Sequence, residues 1–362
     1  MPQKTTQISS IQIYFEKSVS QILRETLSAC DEYFQVTCDC STAQVIIFEN
    51  DDRRYILKSS EYLTWPQKCI VISETDLPTY FLPACYCANK KCLLSSKRAK
   101  TISYFLYRRA HQHPYIKPTK LKDKPVFLYS FVGGSTSWLR KRLFKLVKSS
   151  NDAYISATNE YENWNFSDSY LVVKRSIQKA YAETLENSIF ILCPRGTASS
   201  SNRVFEVMEA GRIPVILSDS WVPIDSLPWS EFSIAIREKE LCFVDRIIRQ
   251  NQLHAQELAN NARRVWEKYL APPNDLKLLY EQIKLIQQER NESRELLIRN
   301  FFPLIDTYRY AKSIILGLIK FIILTGFYYT GVKFPYSLNR PIGLQLKKLR
   351  SSEKNDRQNI SL

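Results

Sequence analysis

The chain has 362 residues, with 51 Lys and Arg against 36 Asp and Glu, 44% hydrophobic and 12% aromatic residues. That length accommodates about two domains of roughly 100–200 residues, and the apolar content excludes a disordered chain. The net charge of +15 points to an anionic partner: nucleic acid, a membrane surface or a phosphate-bearing substrate.

The first 120 residues alternate short apolar runs with amphipathic stretches. Ile11–Phe15, Gln44–Phe48 and Cys69–Ser73 read as strands rich in β-branched residues. Glu16–Ala29 and Lys97–Ala110 read as helices, and the Pro-containing basic stretch His113–Pro125 as a linker. From Pro125 the pattern restarts with a strand Val126–Val132, a tight turn at Gly133-Gly134 and a helix Ser135–Lys148. A short strand Ala153–Ser156 and a helix Tyr170–Leu185 follow. Next come a strand Ile189–Cys193, a loop, a helix Ser201–Ala210 stopped by Gly211, and a strand Ile213–Leu217. Strands alternating with helices in both halves predict an α/β protein with two Rossmann-like domains, over 1–120 and 121–275.

Charge is spread unevenly. Residues 121–275 hold 20 basic and 18 acidic side chains, whereas the basic tail 276–362 holds 15 and 7. Leu276–Arg299 reads as a surface helix. Ser313–Gly331 is an apolar run with Lys320 at its centre, and basic residues flank it. Three readings stay open for it: a helix on an anionic membrane surface, a helix packed back on the N-terminal domain, or a membrane span. The first residues lack the apolar core and cleavage site of a signal peptide, and the nine cysteines are odd in number. A cytoplasmic location is expected, peripheral at the inner face of a membrane where the tail meets lipid. Cys85, Cys87 and Cys92 are spaced C-x-C-x₄-C with no nearby His, a poor zinc pattern.

The loop after Ile189–Cys193 carries the chemistry. Ligands of open parallel sheets bind beyond the carboxyl ends of the strands, and a helix start there favours an anion. Pro194-Arg195-Gly196 turns the backbone, Ser199, Ser200 and Ser201 supply hydroxyls, and Arg195 and Arg203 can grip a diphosphate. Glu206, three residues after Arg203, either accepts from a sugar or ribose hydroxyl or forms a structural pair with that arginine.

CPRGTASSSNRVFEVMEAGRIPVILSDSWVPI resembles the signature segment of the exostosin family, family 47 of the glycosyltransferases. KPVFLYSFVGGSTSWLRKRL resembles that family's strand–Gly–Arg helix opening, and LPWSEFSIAIREKEL its W-x-x-F strand. The resemblance spans roughly residues 65–270 and is sharpest at 188–236. It implies a GT-B fold and inverting transfer of a sugar from a nucleotide-sugar donor, expected to be a UDP-sugar, to a glycan or lipid-linked acceptor. Arg195, Gly196, Ser201, Arg203 and Glu206 would then contact the nucleotide diphosphate, with Gly133, Gly134 and Arg140 assisting. Asp219, just past Ile213–Leu217 with Trp221, either contacts the sugar or caps its turn. Arginines and a helix start can neutralise the leaving group, so no metal or other cofactor is expected. An acceptor-side base is needed; Glu74 and Asp76 at a strand end are the candidates, with His111 and His113 as further titratable groups.

Three rivals remain. A fucosyltransferase-type GT-B enzyme would use a GDP-sugar. A metal-using GT-A enzyme would use an acidic run such as Glu49-Asn50-Asp51-Asp52, though Arg53-Arg54 follow at once. The third is a non-catalytic basic protein that binds nucleic acid or membrane; no nucleic-acid motif is present, so no nucleic-acid partner is expected.

Overall fold

The first sheet collects β1 (Ile11–Phe15), β2 (Phe34–Val36), β3 (Val45–Phe48), β4 (Cys69–Ser73), β5 (Ala84–Tyr86) and β6 (Ala99–Thr101). Their order is β2-β1-β3-β4-β5-β6 and every pairing is parallel. β3 and β4 are buried along their whole length, as expected of strands covered on both faces. Around them lie α1 (Gln21–Ser28), α2 (Arg53–Ile56), α3 (Ser60–Thr64) and α4 (Phe105–Ala110). The helix expected over Lys97–Ala110 is instead β6, a turn and α4. Lys97 adopts a left-handed φ of 60°, which turns the chain into a strand too short to show a periodicity.

The second sheet has the order β11-β10-β9-β7-β8, again all parallel. Its strands are β7 (Phe127–Gly134), β8 (Ala153–Thr158), β9 (Ser188–Pro194), β10 (Ile213–Leu217) and β11 (Ile234–Ala235). Its helices are α5 (Trp138–Leu146), α6 (Leu171–Glu186), α7 (Arg203–Glu209), α8 (Val244–Gln250) and α9 (Ala255–Val265). Gly133 and Gly134 do not form the expected tight turn. They end β7, in register with Ala157 and Thr158 of β8. Gly211, at φ 71°, stops α7.

Loops beyond the strand ends join the sheets. Trp221 Nε1 donates to the Cys87 carbonyl (3.2 Å), and Thr101 Oγ1 to the Val222 carbonyl (2.8 Å). The chain then returns: α10 (Asn274–Glu289) buries Leu276, Leu279, Tyr280, Ile283 and Ile286 in the core of the first sheet. The expected surface helix is therefore a core element. Its buried Asp275 receives both arms of Arg109 at 2.6 and 2.9 Å.

The computed structural model describes residues 9–158 apart from 96, 123, 124 and 149, then 171–305, and 307, 308, 311 and 315. The chain divides into two compact units after Glu295. Among the described residues no helix is long and apolar enough to cross a membrane. Ser313, Ile314 and Leu316–Gly331 of the apolar run lie outside them.

Candidate active site

Two guanidinium groups meet at the carboxyl ends of β7 and β9. Ser137 caps α5, accepting from the Arg140 backbone N–H (3.2 Å) and donating to the Arg195 carbonyl (2.9 Å). From the first turn of that helix Arg140 folds back, donating Nε and Nη2 to the Pro194 carbonyl (3.2 and 3.1 Å) and Nη1 to that of Gly134 (3.4 Å). Arg203, the first residue of α7, lies over the Phe131 ring at 4.6 Å and gives Nη2 to the Val132 carbonyl. Its Nε reaches the Tyr181 hydroxyl at 3.3 Å, while Nη1 is buried with no hydrogen-bond partner. Burial first, and then the neighbouring Arg203, hold the Arg140 guanidinium well below its ordinary value. Among the described residues neither arginine has a carboxylate ion-pair partner.

The glycines belong to this arrangement. A Cβ on Gly133 would stand 2.9 Å from Arg203 Nη2, and one on Gly196 3.1 Å from the Thr136 hydroxyl and 3.5 Å from Arg140 Nη2. Gly133 admits the guanidinium of Arg203 against the strand. Glu206 makes no direct pair with Arg203. Its oxygens accept from Asn202 Nδ2 (2.9 Å) and the Tyr181 hydroxyl (2.8 Å), so Tyr181, on α6, links acid and base. Sequence reasoning missed Tyr181, because one tyrosine on an amphipathic helix carries no signal of its own.

Other expected site residues are placed differently. Arg195 is held by Glu238 in a two-pronged pair at 2.6 and 3.0 Å. Asp219 brackets the same glutamate, accepting from its N–H (2.9 Å) and donating its own N–H to its carboxylate (3.2 Å), so it caps its turn. Trp221 is buried. Ser199 donates to the Ala88 carbonyl (2.8 Å) and Ser200 meets the Tyr104 hydroxyl (2.7 Å), so both tie the sheets together. Ser201 stays partly exposed before the helix, whose cap is Asn202.

On the N-terminal side, Glu74 accepts from the backbone N–H groups of Leu106 and Tyr107 at 2.7 and 2.9 Å. Burial pushes its carboxyl up to about 7, against the pull of those two bonds. Both oxygens cap α4. Asp76 is exposed and makes no hydrogen bond among the described residues; partial desolvation raises its carboxyl, with Lys90 opposing. His113 packs on Tyr181 at 5.6 Å, and burial lowers it, with Glu206 opposing. With His111, Arg108 and Trp266 it lines a cavity of about 120 Å³ beside Glu206. The acidic run after β3 is spent on the backbone: Glu49 accepts from Ser20 N–H (2.6 Å), Asp51 from Thr79 N–H (2.9 Å) and Asp52 from Arg54 N–H (2.8 Å).

Comparison with known proteins bears on the same segment. Residues 104–250 match the exostosin GT47 domain. The chain is 34% identical over 93 residues to the exostosin-1 homolog of Caenorhabditis elegans, covering 25% of this chain and 24% of that relative. It is 36% identical over 87 residues to the probable beta-1,4-xylosyltransferase IRX10L of Arabidopsis thaliana, covering 23% of this chain and 21% of the other. The matched stretches thus span about a quarter of these relatives' lengths. Among solved structures, a glycosyltransferase from Rickettsia africae aligns over 76% of this chain and 89% of its own, at 10% identity and a TM-score of 0.37.

Proposed function

We propose, from the match of residues 104–250 to the exostosin GT47 domain, that the chain transfers a sugar from a uridine-diphosphate sugar to a glycan or lipid-linked acceptor, with inversion. The observation that carries the reading is Arg203 Nη1, a buried donor without a partner among the described residues, beside a second arginine that also lacks a carboxylate there. Burying guanidinium groups unpaired is costly. A bound diphosphate offsets that cost and accepts the unused N–H in charge-assisted bonds.

Transfer is a single displacement. The acceptor oxygen attacks the anomeric carbon, and the bond from that carbon to the diphosphate oxygen breaks. The electron pair leaves on the diphosphate, where Arg140 and Arg203 stabilise it without reorganising. The acceptor proton goes to Asp76, whose oxygens are not spent on the backbone as those of Glu74 are. Glu206 holds Tyr181 against Arg203 and has lone pairs left for a ribose hydroxyl. Arg195 acts through Glu238 and Asp219, by fixing the loop after β10.

A thermal-shift series with uridine and guanosine diphosphates, with and without a chelator, tests this. Uridine diphosphate should raise the melting temperature of the parent with or without chelator, and leave Arg203→Ala unmoved. Stabilisation by guanosine diphosphate alone would favour the fucosyltransferase-type reading, and no stabilisation by either nucleotide would sink the donor site.

A further inference from the structure

The second unit carries an exposed apolar stripe. The described residues at 296–305, 307, 308, 311 and 315 are helical. Leu297, Phe301, Leu304, Tyr308, Ala311 and Ile315 follow one another at alternating intervals of four and three residues. At about 100° per residue they fall within an arc of about 80° on one helix face. All six are exposed, the five larger ones by 55–67% of their surface. Contiguous apolar surface of this kind is disfavoured in water and marks a docking face.

We propose that this stripe docks on an anionic lipid surface. Charge selects that occupant. Between Asp306 and Glu353 the sequence has eight basic residues and no acid. A second copy of the chain would bring the same positive charge alongside, and repulsion would oppose pairing through the stripe. A bilayer carrying phosphatidylserine supplies apolar depth for the leucines and phenylalanine and negative charge for the lysines and arginines. Tyr308 suits the boundary between the two, with an apolar ring and a polar tip. Lipid docking through this face and the tail's charge stands or falls independently of the sugar-transfer reading.

Flotation of the full chain with vesicles tests it. With about 30% phosphatidylserine in phosphatidylcholine, most of the protein should float at low salt and much less at high salt. Pure phosphatidylcholine should carry far less. The triple variant Leu297→Glu, Phe301→Glu, Leu304→Glu should float at least tenfold less while its melting temperature holds. A second variant, Phe301→Trp, reads insertion directly: its emission, after subtraction of the parent's, should shift to the blue on adding the anionic vesicles. Absence of flotation, unchanged flotation of the triple variant, or an unshifted difference emission from the Phe301→Trp variant would overturn the proposal. So would a dimer in sedimentation equilibrium that the triple variant abolishes, which would assign the stripe to a second copy.

Discussion

Arg203 opens α7 and Arg212 follows its end, and among the described residues neither has a carboxylate ion-pair partner. Arg212 is fully buried, and its guanidinium donates to the carbonyls of Thr119, Leu185, Glu186, Ala210 and Gly211 and to the Thr119 hydroxyl, at 2.7–3.1 Å. Every one of its nitrogens is satisfied. Arg203 leaves Nη1 without a partner, at the strand ends where ligands of parallel sheets bind. The first arginine is a staple that fastens the linker to the second sheet. The second is the one proposed to receive an anion. Both charges are buried; what differs between these two arginines is the saturation of their donors.

The largest effect should come from Arg203→Ala. Its kcat/KM should fall on the order of 10³-fold, about 4 kcal/mol of transition-state stabilisation, with little change in melting temperature. Arg212→Met should do the reverse. It leaves buried carbonyls without donors and should lower unfolding free energy by about 3 kcal/mol, while kcat per folded molecule stays within about twofold, read by denaturant titration beside the assay. If both variants lose activity and stability together, the contrast between the two arginines fails.

The two acids at the end of β4 offer a matching contrast. Asp76→Asn should lower kcat about 10²-fold, whereas Glu74→Gln should leave it within about threefold. Glu74 should speak in stability instead. Its folded pKa is raised to about 7 from 4.5, so its burial costs nothing below about pH 4.5 and costs fully above about 7. The glutamine variant lacks that cost, so its stability relative to the parent should rise by about 2–3 kcal/mol between pH 5 and 8. A flat difference would show that Glu74 keeps its ordinary carboxyl chemistry.

The parts of the fold written as local pattern were legible. β1, β4 and β10 fall on the residues expected, because each is an apolar run bounded by polar or turn-forming residues. β2, β5 and β6 escaped, since three residues are too few to show a period. The site divides in the same way. Arg140, Arg203, Gly133 and Gly196 were nameable from their segments, and they stand within a few ångströms of one another. Tyr181, and Glu238 as the partner of Arg195, were not, because such pairings form only when distant segments fold together. The same non-locality took Ser199 and Ser200 from the anion loop and made them ties between the sheets.

On the proposed reading, the unused donor of Arg203 holds a diphosphate. Calorimetric titration of uridine diphosphate into the parent and Arg203→Ala at neutral pH tests it most directly. The parent should bind at one site, and the variant's dissociation constant should be at least tenfold weaker, with the fold intact. Equal affinities would contradict that reading.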